Sequence, residues 1–186
     1  MSTLHTINSA PAASQPLLEG IQSAMGFIPN FFAVLADSPA ALEAYNHLAA
    51  TFGSSDLDAT EQQIVSIEAS RENGCTYCVA AHTTVSQMTK VDADIVTALR
   101  DGTPLACSKH EALRTFTNTL VNKRGHSNQQ DLEAFYSAGY SQKNALAVIL
   151  GVSMKTLTNY TNNVLSPELD AAFQPNAWEK SCCSAS

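Results

Sequence analysis

The sequence predicts an all-α protein, and three observations carry that reading. Helix start signals recur along the chain, apolar residues repeat at intervals of three to four, and strand signals are missing. Ser38-Pro39 supplies an N-cap hydroxyl and a proline at the first helical position, opening a helix that runs through Leu42, Tyr45, Leu48 and Phe52 to Gly53. Asp58 and Glu61 stand at capping-box spacing ahead of Ile64, Val65 and Ile67, with Gly74 as the stop. The next helix starts at Cys75, and Asp92 caps a short one through Ile95, Val96 and Leu99 to Gly102. Ser108 with Glu111 and Ser127 with Gln130 predict two more capping boxes, stopped by Gly125 and Gly139. Ser141, Ser153 and Ser166-Pro167 are read as the starts of the last three helices, giving a bundle of about ten with short connections.

Hydrophobic residues make up 45% of the 186 positions, enough for one packed core. No internal stretch has the composition of a linker, so residues 14–173 are expected to form one domain, between a flexible N-terminus (1–13) and a C-terminal tail (174–186) whose Trp178 packs on a neighbouring subunit. The net charge of −7 repels phosphate backbones and anionic lipid, which argues against nucleic-acid and membrane partners. No run approaches the roughly 18 apolar residues of a membrane span, and the opening residues do not resemble a secretory signal. The expectation is a soluble cytoplasmic protein. The low charged fraction, 15%, suits subunits that bury helical faces against one another.

Five cysteines without a signal peptide point to redox, catalytic or metal roles rather than a disulfide framework. Two of them, in the run Asn73-Gly74-Cys75-Thr76-Tyr77-Cys78-Val79-Ala80-Ala81-His82, sit where a helix begins. Unpaired N–H groups and the positive end of the helix dipole stabilise thiolate at that position. Cys75 and Cys78 share a face and can close a local disulfide. His82, four residues beyond Cys78, lies on the same face as a potential proton carrier. The same three residues fit a partial zinc site, but a tetrahedral ion needs a fourth ligand, which Cys107 or His110 would provide only through the tertiary fold. No metal and no organic cofactor is expected.

The run Asn73–His82 resembles the signature of the carboxymuconolactone decarboxylase superfamily, in its alkyl hydroperoxidase D (AhpD)-like branch. The segments Gly26-Phe27-Ile28-Pro29-Asn30-Phe31-Phe32, Ser38-Pro39-Ala40-Ala41-Leu42, Ala138-Gly139-Tyr140 and Thr156-Leu157-Thr158-Asn159-Tyr160 extend the likeness to about residues 20–170. The resemblance implies an AhpD-like helical fold, a homo-oligomer (trimer or hexamer), and hydroperoxide reduction. In that cycle Cys78 attacks the peroxide, Cys75 resolves the sulfenic acid as a disulfide, His82 relays the proton, and an external dithiol (lipoyl or thioredoxin-like) restores the pair. Relatives of this type carry a glutamate where this chain has Gln63, which cannot take up a proton. Glu68, seven residues before Cys75, is the candidate replacement, whereas Glu61 is read as a capping residue.

Other readings rest on single features. A carboxymuconolactone decarboxylase-like lyase would not need the cysteine pair, and a non-catalytic redox sensor would use it without turnover. Residues 144–160 imitate a helix-turn-helix around Gly151, but Lys155 is the one cation in the second helix, too few for phosphate contacts. Cys107 is expected to be buried or half-buried, and Cys182-Cys183 to be an exposed pair in the tail with scope for an accessory resolving thiol.

Overall fold

In the computed structural model, which describes residues 3–180, the start signals mark real helix ends. Nine α-helices are present among the described residues: α1 (Gln15–Met25), α2 (Asn30–Leu35), α3 (Pro39–Gly53), α4 (Ala59–Glu72), α5 (Thr76–Met88), α6 (Ala93–Asp101), α7 (Ser108–Asn122), α8 (Gln129–Ser137) and α9 (Gln142–Leu165). Strands are absent among those residues. Ser38 caps α3 through the Ala41 N–H, and Asp58 with Glu61 closes a complete capping box on α4. Asp92 caps α6, and Ser141 with Asn144 caps α9. Each such cap is worth about 1 kcal/mol. The predicted box at Ser127 lies one residue on, at Asn128 with Asp131. At Ser108 the cap position is Cys107, and Glu111 instead accepts from the Leu105 N–H at 2.8 Å. Cys107 is exposed there, not buried.

Helix α4 is the axis of the fold, packed against α5, α6, α7 and α9. Its residues 64–70 are all buried, which is why it shows no polar face: neighbours cover it all round. Ile64, Val65 and Ile67 enter one core cluster with Leu113, Phe116, Phe135 and Val148. Fully burying each such side chain contributes roughly 1.5–3 kcal/mol. A second cluster gathers Leu18, Phe31, Leu35, Leu42 and Phe173 around Cys75, Tyr77 and Cys78. The thiols therefore sit inside apolar packing rather than at a loop tip.

Four expectations are corrected. The N-terminal segment expected to be flexible is packed where described: Ile7–Ser9 form a 3-10 turn closed by a capping box, the His5 N–H bonds Ala33 O at 3.1 Å, and Ala10 is buried. The helix start expected at Ser153 is absent, because α9 runs unbroken through Gly151 and Ser153. Gly151 is a packing residue: a Cβ there would stand 2.6 Å from Phe52 and 2.8 Å from Val65. Ser166 ends a helix rather than starting one, with φ +47° and its N–H on Asn162 O. Pro167, which has no N–H to offer, fixes the stop. Trp178 packs on its own chain, donating its indole N–H to Arg100 O at 3.0 Å. Ahead of it the tail holds a short 3-10 turn, Gln174–Asn176, and Cys182 and Cys183 lie outside the described residues.

Candidate active site

The turn between α4 and α5 aims the thiols. Gly74, at φ +65°, adopts the left-handed conformation that reverses the chain, and the Cys75 N–H returns to Ser70 O at 2.9 Å. Cys75 becomes the N-cap of α5, its Sγ accepting from the Cys78 N–H at 3.4 Å. Asn159 on α9 holds this turn by accepting from Asn73 Nδ2 (2.9 Å) and donating to Ser70 Oγ (3.2 Å). Both cysteines are free thiols with at most 4% exposure.

Three residues apart, the two thiols differ sharply. Burial raises the Cys78 pKa, but the hydrogen bond from Cys75, the Lys155 charge and the side-chain amides of Asn162 and Asn159 prevail and hold it lowered to about 5. The hydrogen bond that Cys75 makes to Cys78, its burial and the neighbouring negative charge raise the Cys75 pKa. Cys78 is thus the thiolate and Cys75 the thiol that donates to it. Asn162 Nδ2 donates to Cys78 Sγ at 3.2 Å and stands 3.9 Å from Cys75 Sγ, while Thr158 Oγ1 is 3.8 Å from Cys78 Sγ.

His82 lies beside them, but its partners are unexpected. Its Nδ1 donates to Gln63 Oε1 at 2.9 Å, and its Nε2 accepts from Lys155 Nζ at 2.9 Å. Burial and the Lys155 charge lower its pKa well below the ordinary value, so the ring is neutral, and Gln63 fixes the tautomer with the proton on Nδ1. Lys155 is 2% exposed and forms part of the wall of a cavity of about 140 Å3. Cys78, His82, Thr158 and Asn162 line this cavity with Met25, Phe31, Phe32, Tyr45 and Phe173. Its rim is tied down by Tyr77, whose hydroxyl donates to Asp170 and accepts from the Phe31 N–H, and Asp170 also receives the Asn30 N–H.

Glu68 is not in this site. It is fully buried on the α7 side of α4, accepting from Arg71 Nη2 (2.9 Å), Asn118 Nδ2 (2.9 Å) and Arg114 Nη1 (3.2 Å). Five helical residues turn it about 140° away from Gln63, on the wrong face to reach His82. The structure sets Cys78 and His82 on the wall of one cavity, with Cys75 beside Cys78, and adds Lys155, Asn159 and Asn162, which the sequence reading missed. The signal was available: Lys155, Thr158, Asn159 and Asn162 follow the i, i+3, i+4, i+7 pattern of one helix face, a polar stripe on a helix that is otherwise apolar inside. No cluster of three or more His, Cys, Asp or Glu residues able to hold a metal ion occurs among the described residues.

Residues 36–115, a segment that contains the thiol pair, match the model of the Carboxymuconolactone decarboxylase family. The fold is AhpD-like. A peroxidase-related protein with an alkylhydroperoxidase AhpD core from Ralstonia eutropha JMP134 superposes with a TM-score of 0.82 at 19% identity, covering 91% of this chain and 92% of that one. A peroxidase-related protein from Silicibacter sp. TM1040 gives 0.76 at 20% identity, with 88% and 87% covered. The debrominase Bmp8 gives 0.79 at 17% identity over 95% of each chain, both in its apo form and as a cysteine-to-alanine variant in complex with 2,3,4-tribromopyrrole. No curated protein matches the sequence.

Proposed function

We propose that the chain is a thiol peroxidase that reduces organic hydroperoxides through Cys78 and Cys75. The supporting observation is a thiolate on the wall of an apolar cavity with a buried ammonium beside it. Cys78 Sγ attacks the terminal peroxide oxygen, the O–O bond breaks, and the leaving alkoxide takes a proton from Lys155, giving an alcohol and a Cys78 sulfenic acid. Cys75 then attacks the sulfenic sulfur, and its thiol proton leaves with the hydroxyl as water, forming the Cys75–Cys78 disulfide. An external thiol supplies the two electrons that reopen it. Neutral His82, oriented by Gln63, accepts the hydrogen bond that fixes the ammonium.

The aromatic walls formed by Phe31, Phe32 and Tyr45 suit a bulky organic hydroperoxide over hydrogen peroxide. The same walls and thiolate favour a second reading, in which Cys78 takes a halogen from an aromatic ring, the ring carbon gains a proton, and Cys75 displaces halide to form the same disulfide. The likeness to a debrominase is the reason to test it. Leu146, Ile149, Tyr160 and Val164, exposed along the outer face of α9, support assembly into a homo-oligomer. The test is single-turnover oxidation of the reduced protein by cumene hydroperoxide. Wild type is expected to form one disulfide and one alcohol, and Cys78→Ser to form neither while keeping its helical circular dichroism. Alcohol production by Cys78→Ser would overturn the assignment.

A further inference from the structure

The charge that answers Lys155 is one that oxidation removes. In the reduced protein the ammonium, 2% exposed, stands 2.9 Å from the neutral His82 Nε2 and interacts with the Cys78 thiolate. Closing the Cys75–Cys78 disulfide makes both sulfurs neutral, and the proton that Lys155 gives to the leaving alkoxide turns the ammonium into an amine. No other group on the wall takes over from the thiolate. Among the described residues the lining contains no Asp or Glu, and burial raises the pKa of Tyr45 and Tyr77, so neither phenol ionises. Asp170, engaged by the Tyr77 hydroxyl and the Asn30 N–H, is not one of the lining residues. An ammonium reformed in this setting would be a buried charge without a counter-ion, which is costly.

We propose that the oxidised protein binds a small aromatic monocarboxylic acid in this cavity, with its carboxylate on Lys155. This rests on the redox cycle above. The acid supplies what oxidation took away: its proton returns to the Lys155 amine, and its carboxylate replaces the thiolate as counter-ion, so the cavity gains no net charge. Size points to a single ring. An engineered apolar cavity of about 150 Å3 accommodates benzene. The cavity here measures about 140 Å3, and Phe31 and Phe32 each meet the Tyr45 ring edge-on in its wall. When thiol exchange restores the Cys78 thiolate, the carboxylate faces a like charge and leaves. Occupancy therefore follows redox state: the acid holds the disulfide form and keeps the next hydroperoxide out, and by linkage it lowers the potential of the pair.

The test is calorimetric titration of the full chain with benzoate and with its neutral isostere benzamide, near pH 7. Wild type oxidised by diamide, its Cys75–Cys78 disulfide confirmed by peptide mapping, is expected to bind benzoate at least about tenfold more tightly than the reduced protein does, and at least about tenfold more tightly than it binds benzamide, with uptake of a proton. Reduced Cys78→Ser, which loses the thiolate without gaining a disulfide, is expected to bind benzoate as the oxidised wild type does, and oxidised Lys155→Met is expected not to bind it. By the same tenfold ratio, saturating benzoate should lower the midpoint potential of the Cys75–Cys78 pair by at least about 30 mV. Absence of benzoate binding to the oxidised protein, equal binding in both redox states, equal binding of benzamide, or undiminished binding by Lys155→Met overturns the proposal. None of these titrations uses a peroxide, so failure of cumene hydroperoxide to oxidise the reduced protein overturns the peroxidase reading and leaves the binding result standing.

Discussion

Helix α4 turns a polar side chain inward on each of two faces, Glu68 buried and Gln63 half-buried, and the two clusters built there differ in kind. On the α7 side, Glu68 is surrounded by Arg71, Arg114 and Asn118, and Arg114 in turn holds Glu111, so the charges are matched by opposite charges within one network. On the α5 and α9 side, Gln63 leads to His82 and Lys155, and among the described residues a neutral ring and a thiolate answer the buried ammonium. Desolvating ions is costly, and the first cluster offsets that cost completely with fixed partners. The second offsets it by keeping Cys78 ionised. The charge of Lys155 is balanced by a group that can react, which turns a folding requirement into a reactive thiolate.

Removing the ammonium should separate the two clusters most clearly. Lys155→Met is expected to raise the Cys78 pKa toward the ordinary thiol value and to cut the single-turnover rate by about a hundredfold or more, since both thiolate fraction and proton donation are lost. Iodoacetamide alkylation of Cys78 against pH measures the shift. In wild type the thiolate predominates above about pH 5, so reactivity rises as pH rises through that value and is flat near neutrality. In the variant the rise is expected above pH 7.

Glu68→Gln should do the reverse, costing roughly 3 kcal/mol of unfolding free energy because the half-buried guanidinium groups of Arg71 and Arg114 lose the buried carboxylate they share. Its alkylation profile is expected to match wild type, and a change in the Cys78 rate would place Glu68 in the chemistry after all. Gly151→Ala pushes a methyl into Phe52 and Val65 and should cost about 1–3 kcal/mol by the same denaturation assay. Gln63→Glu makes the smallest change: a carboxylate against Nδ1 raises the His82 pKa, and a shift of a few-fold in rate below pH 7 is expected.

Legibility in the sequence followed the range of the signal. The caps at Ser38, Asp58, Asp92 and Ser141, and the grouping of Cys75, Cys78 and His82, depend on spacing within a few residues, and all appear in the structure. Lys155 and Asn162 join the thiols across more than seventy residues of chain; the polar stripe they belong to is a local pattern, but it does not say which helix it faces. Gly151 was misleading for a physical reason: a glycine that lets two side chains approach reads locally like a glycine that stops a helix. Glu68 misled as well, because seven residues before Cys75 sounds like two helical turns, yet the reversal at Gly74 breaks the phase between α4 and α5.

One helix supplies Lys155, Thr158, Asn159 and Asn162 to the surroundings of a thiol that belongs to another. Those four side chains share a single rotational setting, fixed upstream where Gly151 meshes with Phe52 and Val65. Deleting one residue between Gly151 and Lys155 would swing all of them through about 100° and draw them back about 1.5 Å together. The ammonium, both amides and the hydroxyl thus behave as teeth on one key, cut far from the lock and lost or kept as a set.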